Sequence, residues 1–121
     1  MGTRAITKIK TEGKNSPTLL AIYTQFRGDF KEHGNNLKRF LEKITIVNGF
    51  GRETLNVANG VGCLAAQLIA HLKTKVGDHY IVSTDAEPEE FNYEISVEDG
   101  QIHLTGYNER DEVANFLPYA K

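Results

Sequence analysis

The dipeptide Asp99-Gly100 stands between two alternating runs, "FNYEISVE" and "QIHLTGY", and constrains the fold more than any other stretch of this chain. A two-residue connection between antiparallel strands needs positive φ at both positions, which Asp followed by Gly tolerates well. Such a turn sets a register. Val97 faces Ile102, Ile95 faces Leu104, and Tyr93 faces Gly106, whose missing side chain leaves room for the ring. These pairs make a core face. On the other face Ser96 meets His103, Glu94 meets Thr105 and Asn92 meets Tyr107, a polar surface for water, a partner subunit or a ligand.

Three more segments read as strands: Arg4 to Thr11, Thr18 to Phe26 and His79 to Ser83. The second is apolar on both faces and is expected inside the sheet. Leu37, Phe40, Leu41 and Ile44 recur at helical spacing, with Asn35 or Asn36 as the N-cap. A second helix is expected from Asn59–Gly62 to about Lys73; Val61, Leu64, Ala65, Leu68 and Leu72 form its stripe, and Ala66, Ile69 and Ala70 widen it to a mostly buried helix. Val113, Phe116 and Leu117 predict one apolar helical turn before Pro118, folded on its own domain or docked on a neighbour. The expected fold is α+β: one domain over residues 1–121, an antiparallel sheet of about five strands with two helices packed on it.

Lys and Arg number 14 against 16 Asp and Glu, so the net charge of -2 offers no long-range attraction to duplex nucleic acid. No apolar run approaches the roughly 18 residues of a membrane span, and "MGTRAITKIK" has no apolar signal core, so a cytoplasmic protein without a membrane partner is expected. Cys63 is the sole cysteine, which excludes an intramolecular disulfide, and its place in the second helical pattern reads as a small buried thiol. His33, His71, His79 and His103 show no ligand spacing; neither a metal nor a cofactor is expected.

The motif Asn-Gly-x-Gly occurs twice. Asn48 to Gly51 reads as a turn that delivers Arg52, whereas Asn59 to Gly62 opens a helix, where the unpaired amides at Gly60 and Gly62 suit a phosphate. The spacings of a P-loop and of a Rossmann turn are both missing, and no G-x-S-x-G occurs. Glu89 with Glu90 and Asp111 with Glu112 read as solvated charge. What remains suits a nucleotide held without being altered. Phe26, Phe91 or Tyr107 could stack a base, although Phe91 shares the core face of the hairpin; Asn92 could read a base edge, and Arg4, Arg27, Arg52 or Arg110 could fork a pyrophosphate. Asn92 or Asp111 would take ribose hydroxyls or the base edge.

"MGTRA", "YTQFRGDFKEHGNNLKRFL" and "NGFG" followed by "NVANGVGCLAAQLIAHLK" resemble the first-described Thoeris anti-defence family of small phage and prophage proteins, over roughly Met1 to Glu98. Many members carry an acidic "DGYP" turn where this chain has "RGDF", Arg27 to Phe30, so the resemblance assigns no role to this turn. It implies an α+β sponge, not an enzyme, that forms homo-oligomers in the host cytoplasm. The sponge would trap the cyclic ADP-ribose signal of bacterial TIR-domain enzymes, and some members also trap cyclic oligonucleotides at a separate site. Two rival classes stand beside it. One is an enzyme that degrades a small nucleotide with His33 or His103 as base; the other is a protein-binding inhibitor acting through the polar sheet face or the C-terminal tail.

Overall fold

Ala5–Lys10 (β1) and Thr18–Thr24 (β2) form an antiparallel pair in the computed structural model, which describes residues 2–47 and 56–118. A five-residue π-type turn, Phe30–Gly34, runs into α1 (Asn35–Leu41). The short strands β3 (Thr45–Val47) and β4 (Val57–Asn59) follow, then α2 (Gly60–Leu72). The chain continues through β5 (His79–Val82), β6 (Phe91–Glu98), β7 (Gln101–Asn108) and β8 (Val113–Leu117). The fold is α+β: a six-stranded sheet in the order β5-β2-β1-β6-β7-β8, parallel only at β1–β6, with β3 and β4 as a separate parallel pair. Among the described residues no helix is long and apolar enough to cross a membrane.

The β6–β7 hairpin has the register that its Asp-Gly turn requires, with Tyr93 against Gly106. Tyr93 is 1% exposed, and a Cβ on Gly106 would stand 3.1 Å from its ring. Strands β2 and β5 are antiparallel neighbours, and the chain between them carries both helices. That insertion covers one sheet face, where Ile9, Ile22, Ile95 and Leu104 pack with Leu37, Leu41, Leu64 and Leu68. The return from β5 to β6 must pass β2 and β1. Residues 84–90 make that passage over the helix-free face, where the Lys8 ammonium donates to the Ala86 carbonyl (3.1 Å).

Four expectations change. The tail is the edge strand β8, because five residues bearing Val113, Phe116 and Leu117 satisfy a strand as well as a helical turn, and the β7 edge offers backbone partners. A register shift within β8 lets both Phe116 and Leu117 reach the core. The first helical segment begins at Phe30, so neither Asn35 nor Asn36 is an N-cap. Ala66 and Ala70 are exposed, making α2 amphipathic rather than mostly buried. The polar hairpin face is partly closed too: Asn92 and Ser96 are buried beneath the return segment's side of the sheet.

Candidate functional site

Where β2 ends and β5 begins, a cleft of ≈ 920 Å³ opens between the sheet and the helical insertion. It collects residues far apart in sequence: Thr24 at the end of β2 with Phe26 and Arg27 after it, Asp29, Glu32 and His33 around the π-type turn, Arg39 on α1, Lys75 and Asp78 before β5, His79 at its start, and Phe91 on β6.

The turn that carries Arg27 is held from several sides. The Gln25 amide donates to the Asp78 carbonyl (2.8 Å), and the Gly28 amide donates to the Thr3 carbonyl (2.9 Å). The buried Tyr93 hydroxyl donates to the Gly28 carbonyl (2.6 Å). A Cβ at Gly28 would lie 2.7 Å from the Ala5 Cβ, so this close approach requires glycine. These contacts impose φ 59 on Arg27. For a long side chain that conformation costs on the order of 1 kcal/mol, and it persists only where the surroundings determine it.

Two histidines form the floor. The Thr7 hydroxyl bonds His33 Nε2 and the Thr24 hydroxyl bonds His79 Nδ1, each at 3.0 Å. Their rings stack with centroids 6.1 Å apart, and the edge of Tyr93 closes on His33 at 5.1 Å. Burial, and then the neighbouring His79, push His33 down to about 3. His79 is also lowered, chiefly by burial and then by Lys73 and His71, against the opposing pull of Asp78. Both rings are neutral at neutral pH.

The cleft walls are mixed in sign: Arg27, Arg39 and Lys75 face Asp29, Glu32 and Asp78. Lys75 pairs with Asp78 at 3.3 Å, whereas Arg27 and Arg39 form no ion pair with a described residue. Phe26, 48% exposed, lines the same cleft. Forked cations, an aromatic face and carboxylates that accept hydroxyl hydrogens together suit a phosphorylated, sugar-bearing ligand.

The sequence-derived site residues do not all meet here. Phe26 and Arg27 line the cleft; Arg4 does not, although its carbonyl accepts from the Phe91 amide (3.1 Å) and its backbone abuts Gly28. Asn92 and Tyr107 pair on the opposite sheet face beside a depression of ≈ 100 Å³. The Asn92 amide is engaged by Glu89, accepting from its N–H (3.0 Å) and donating to its carbonyl (2.9 Å). Burial, and then Glu94, raise the Tyr107 phenol, which stays protonated. Arg110 and Asp111 sit exposed in the β7–β8 turn, which Asn108 organises by accepting from the Arg110 and Glu112 amides (3.0 Å each). Gly60 has φ +81, and a Cβ on Gly60 or Gly62 would meet nothing within 4 Å. Asn48 to Gly51 and Arg52 lie outside the described residues. Cys63 is half-buried, its Sγ 3.6 Å from Gln67 Oε1. Among the described residues no cluster of His, Cys, Asp or Glu could hold a metal.

Arg39, Lys75, Asp78 and His79 carry no local motif that would have marked them. A usable signal was the pairing of two strands across the helical insertion, since Thr24 ends one and His79 begins the other as direct partners. No family model, curated protein or solved structure matches this chain.

Proposed function

We propose that this protein is a non-enzymatic sponge, a phage anti-defence protein that binds and sequesters a cyclic ADP-ribose-type nucleotide signal in the host cytoplasm. The observation that carries the proposal is the convergence of Phe26, Arg27 and Arg39 on one cleft of ≈ 920 Å³. Phe26 stacks the adenine, a contact worth roughly 1 to 3 kcal/mol by analogy with base–aromatic stacking. Arg27 and Arg39 fork the pyrophosphate, and Asp29 and Glu32 accept ribose hydroxyls. The sequence resemblance points the same way.

Holding over cleaving is favoured by the histidines. A base whose conjugate acid sits at about 3 takes protons poorly at neutral pH, which counts against His33 in that role. His103 pairs with Ser96 on the opposite sheet face, away from the cleft. A sponge needs nanomolar retention, about -12 kcal/mol, and a second copy of the chain closing over the open cleft would supply the missing contacts.

The test is capture and release. The purified protein is mixed with TIR-generated cyclic ADP-ribose and removed by filtration, then heated. Signal missing from the filtrate and recovered intact on heating supports a sponge. Recovery only as fragments would make it an enzyme, and signal left in the filtrate would remove this ligand class. Arg27→Ala and Arg39→Ala should each weaken capture at least tenfold, about 1.4 kcal/mol, without unfolding the protein.

A further inference from the structure

We propose that His79 contacts phosphate in the cleft beside Arg27 and Arg39 and that it takes up a proton when an anionic phosphate group binds; this rests on the nucleotide reading of the cleft. One ring nitrogen is already assigned, since Nδ1 bonds the Thr24 hydroxyl, and no described residue bonds Nε2. Stacking on His33 fixes the ring plane. On the cleft side His79 shares its surroundings with Arg27 and Arg39, and on the other it borders an apolar pocket with Ile22, Leu72 and Ile81. The ring thus separates the cleft from the apolar pocket, held at Nδ1 and by the stacked His33, with Nε2 unbonded among the described residues.

The charged and titratable groups around it come from each neighbouring element. From β2 comes the Thr24 hydroxyl and from the loop after it Arg27; the π-type turn and its approach bring the neutral His33, Asp29 and Glu32, and α1 brings Arg39. From the end of α2 come His71 and Lys73, whose ammonium donates to the His79 carbonyl (3.0 Å). Asp78 precedes it and is shared with Lys75. Burial, Lys73 and His71 together outweigh Asp78 and keep the ring neutral. An anionic phosphate at Nε2 reverses that balance, because an adjacent opposite charge favours the protonated ring. His33 stays neutral, being deeper and capped by Thr7.

The sign follows from linkage. Affinity is highest where His79 is already protonated, below its free-state value, which itself lies under 6.5. It falls as pH rises toward the value in the complex, by up to about tenfold per pH unit. ADP-ribose is a suitable probe because its pyrophosphate diester does not titrate near neutrality.

Calorimetric titration with ADP-ribose, at about pH 6.5 in two buffers of different ionisation enthalpy, reads the proton directly. Uptake of a substantial fraction of one proton is expected, with affinity about tenfold higher at pH 6 than at pH 7.5. Arg27→Ala should weaken binding but keep the uptake, whereas His79→Gln should abolish it. If His79→Gln fails to fold, NMR titration of the wild-type His79 ring with and without ADP-ribose decides: its pKa must rise on binding. Binding without proton uptake, uptake that survives in His79→Gln, or no binding of ADP-ribose would each overturn the proposal. The sponge reading fails separately. Capture of the cyclic signal without proton uptake removes only the role of His79, and proton-coupled ADP-ribose binding without capture removes only the sponge.

Discussion

The turn at Asp99-Gly100 and the turn at Arg27-Gly28 each place a non-glycine residue in left-handed backbone, at φ 53 and φ 59. At the hairpin, residue type and geometry agree: Asp tolerates the conformation, and a Cβ at Gly100 would meet nothing within 4 Å. At the cleft they disagree. Arginine is a poor choice for that backbone, and the conformation is imposed by Thr3, Ala5, Tyr93 and Asp78 from other strands and loops. Local chemistry makes the first turn, and tertiary contact makes the second. A local preference overridden at the lip of a polar cleft is where a functional residue is expected.

The largest expected difference between the two regions is their response to acid. His33 lies beside the Arg27 turn with a folded value of about 3 against an ordinary 6.5, so the unfolded chain binds the extra proton between those values. Its contribution to stability is complete above 6.5 and falls by about 1.4 kcal/mol per pH unit below it, approaching about 5 kcal/mol by pH 3. Denaturant unfolding at pH 7 and pH 5 should differ by about 2 kcal/mol, and His33→Gln should flatten the slope. An unchanged slope would mean that another group carries the acid response.

Next in size is a methyl group. Gly28→Ala drives a Cβ against Ala5 and the Arg4 backbone, where only 2.7 to 3.0 Å is available, and should cost about 2 to 3 kcal/mol. Gly100→Ala meets no atom and should cost about 1 kcal/mol, the left-handed penalty alone. Equal melting temperatures for the two variants would erase the distinction between an imposed turn and a local one.

The same contrast explains what the sequence made legible. The hairpin could be read pair by pair because its turn, its alternation and the Gly106 gap under Tyr93 all lie within seventeen residues. The cleft could be read only in part. Phe26 and Arg27 follow a recognisable strand, but their neighbours Arg39, Lys75 and His79 are brought in by the pairing of β2 with β5 across the helical insertion. The Asp-Gly turn sets Asn92 opposite Tyr107, as the structure has it, yet a strand's alternation alone does not tell which face a crossing loop will cover. The tail misled because i, i+3, i+4 spacing over five residues also fits a bulged strand.

Tyr93→Phe tests the brace itself. It removes the hydroxyl that satisfies the Gly28 carbonyl and should cost about 1 to 2 kcal/mol, with the ring still seated against Gly106. Capture of the cyclic signal should weaken as well, because Arg27 loses part of what aims it. Lost stability with unchanged capture would make the brace purely structural.

The smallest expected effect on stability separates the two turns by sign. Arg27→Gly relieves the left-handed strain and should stabilise the protein by up to about 1 kcal/mol, while removing a guanidinium from the cleft and at least tenfold in capture. Asp99→Gly starts from a residue already at ease and should change stability by less than about 0.5 kcal/mol, with capture untouched because the hairpin turn lines no part of the cleft. A residue whose removal improves the fold and harms the binding is kept for the binding. If Arg27→Gly instead destabilises the protein, its φ of 59 is not strained. If it is stabilising and capture survives, the cleft does not need this arginine, and Arg39 becomes the guanidinium to follow.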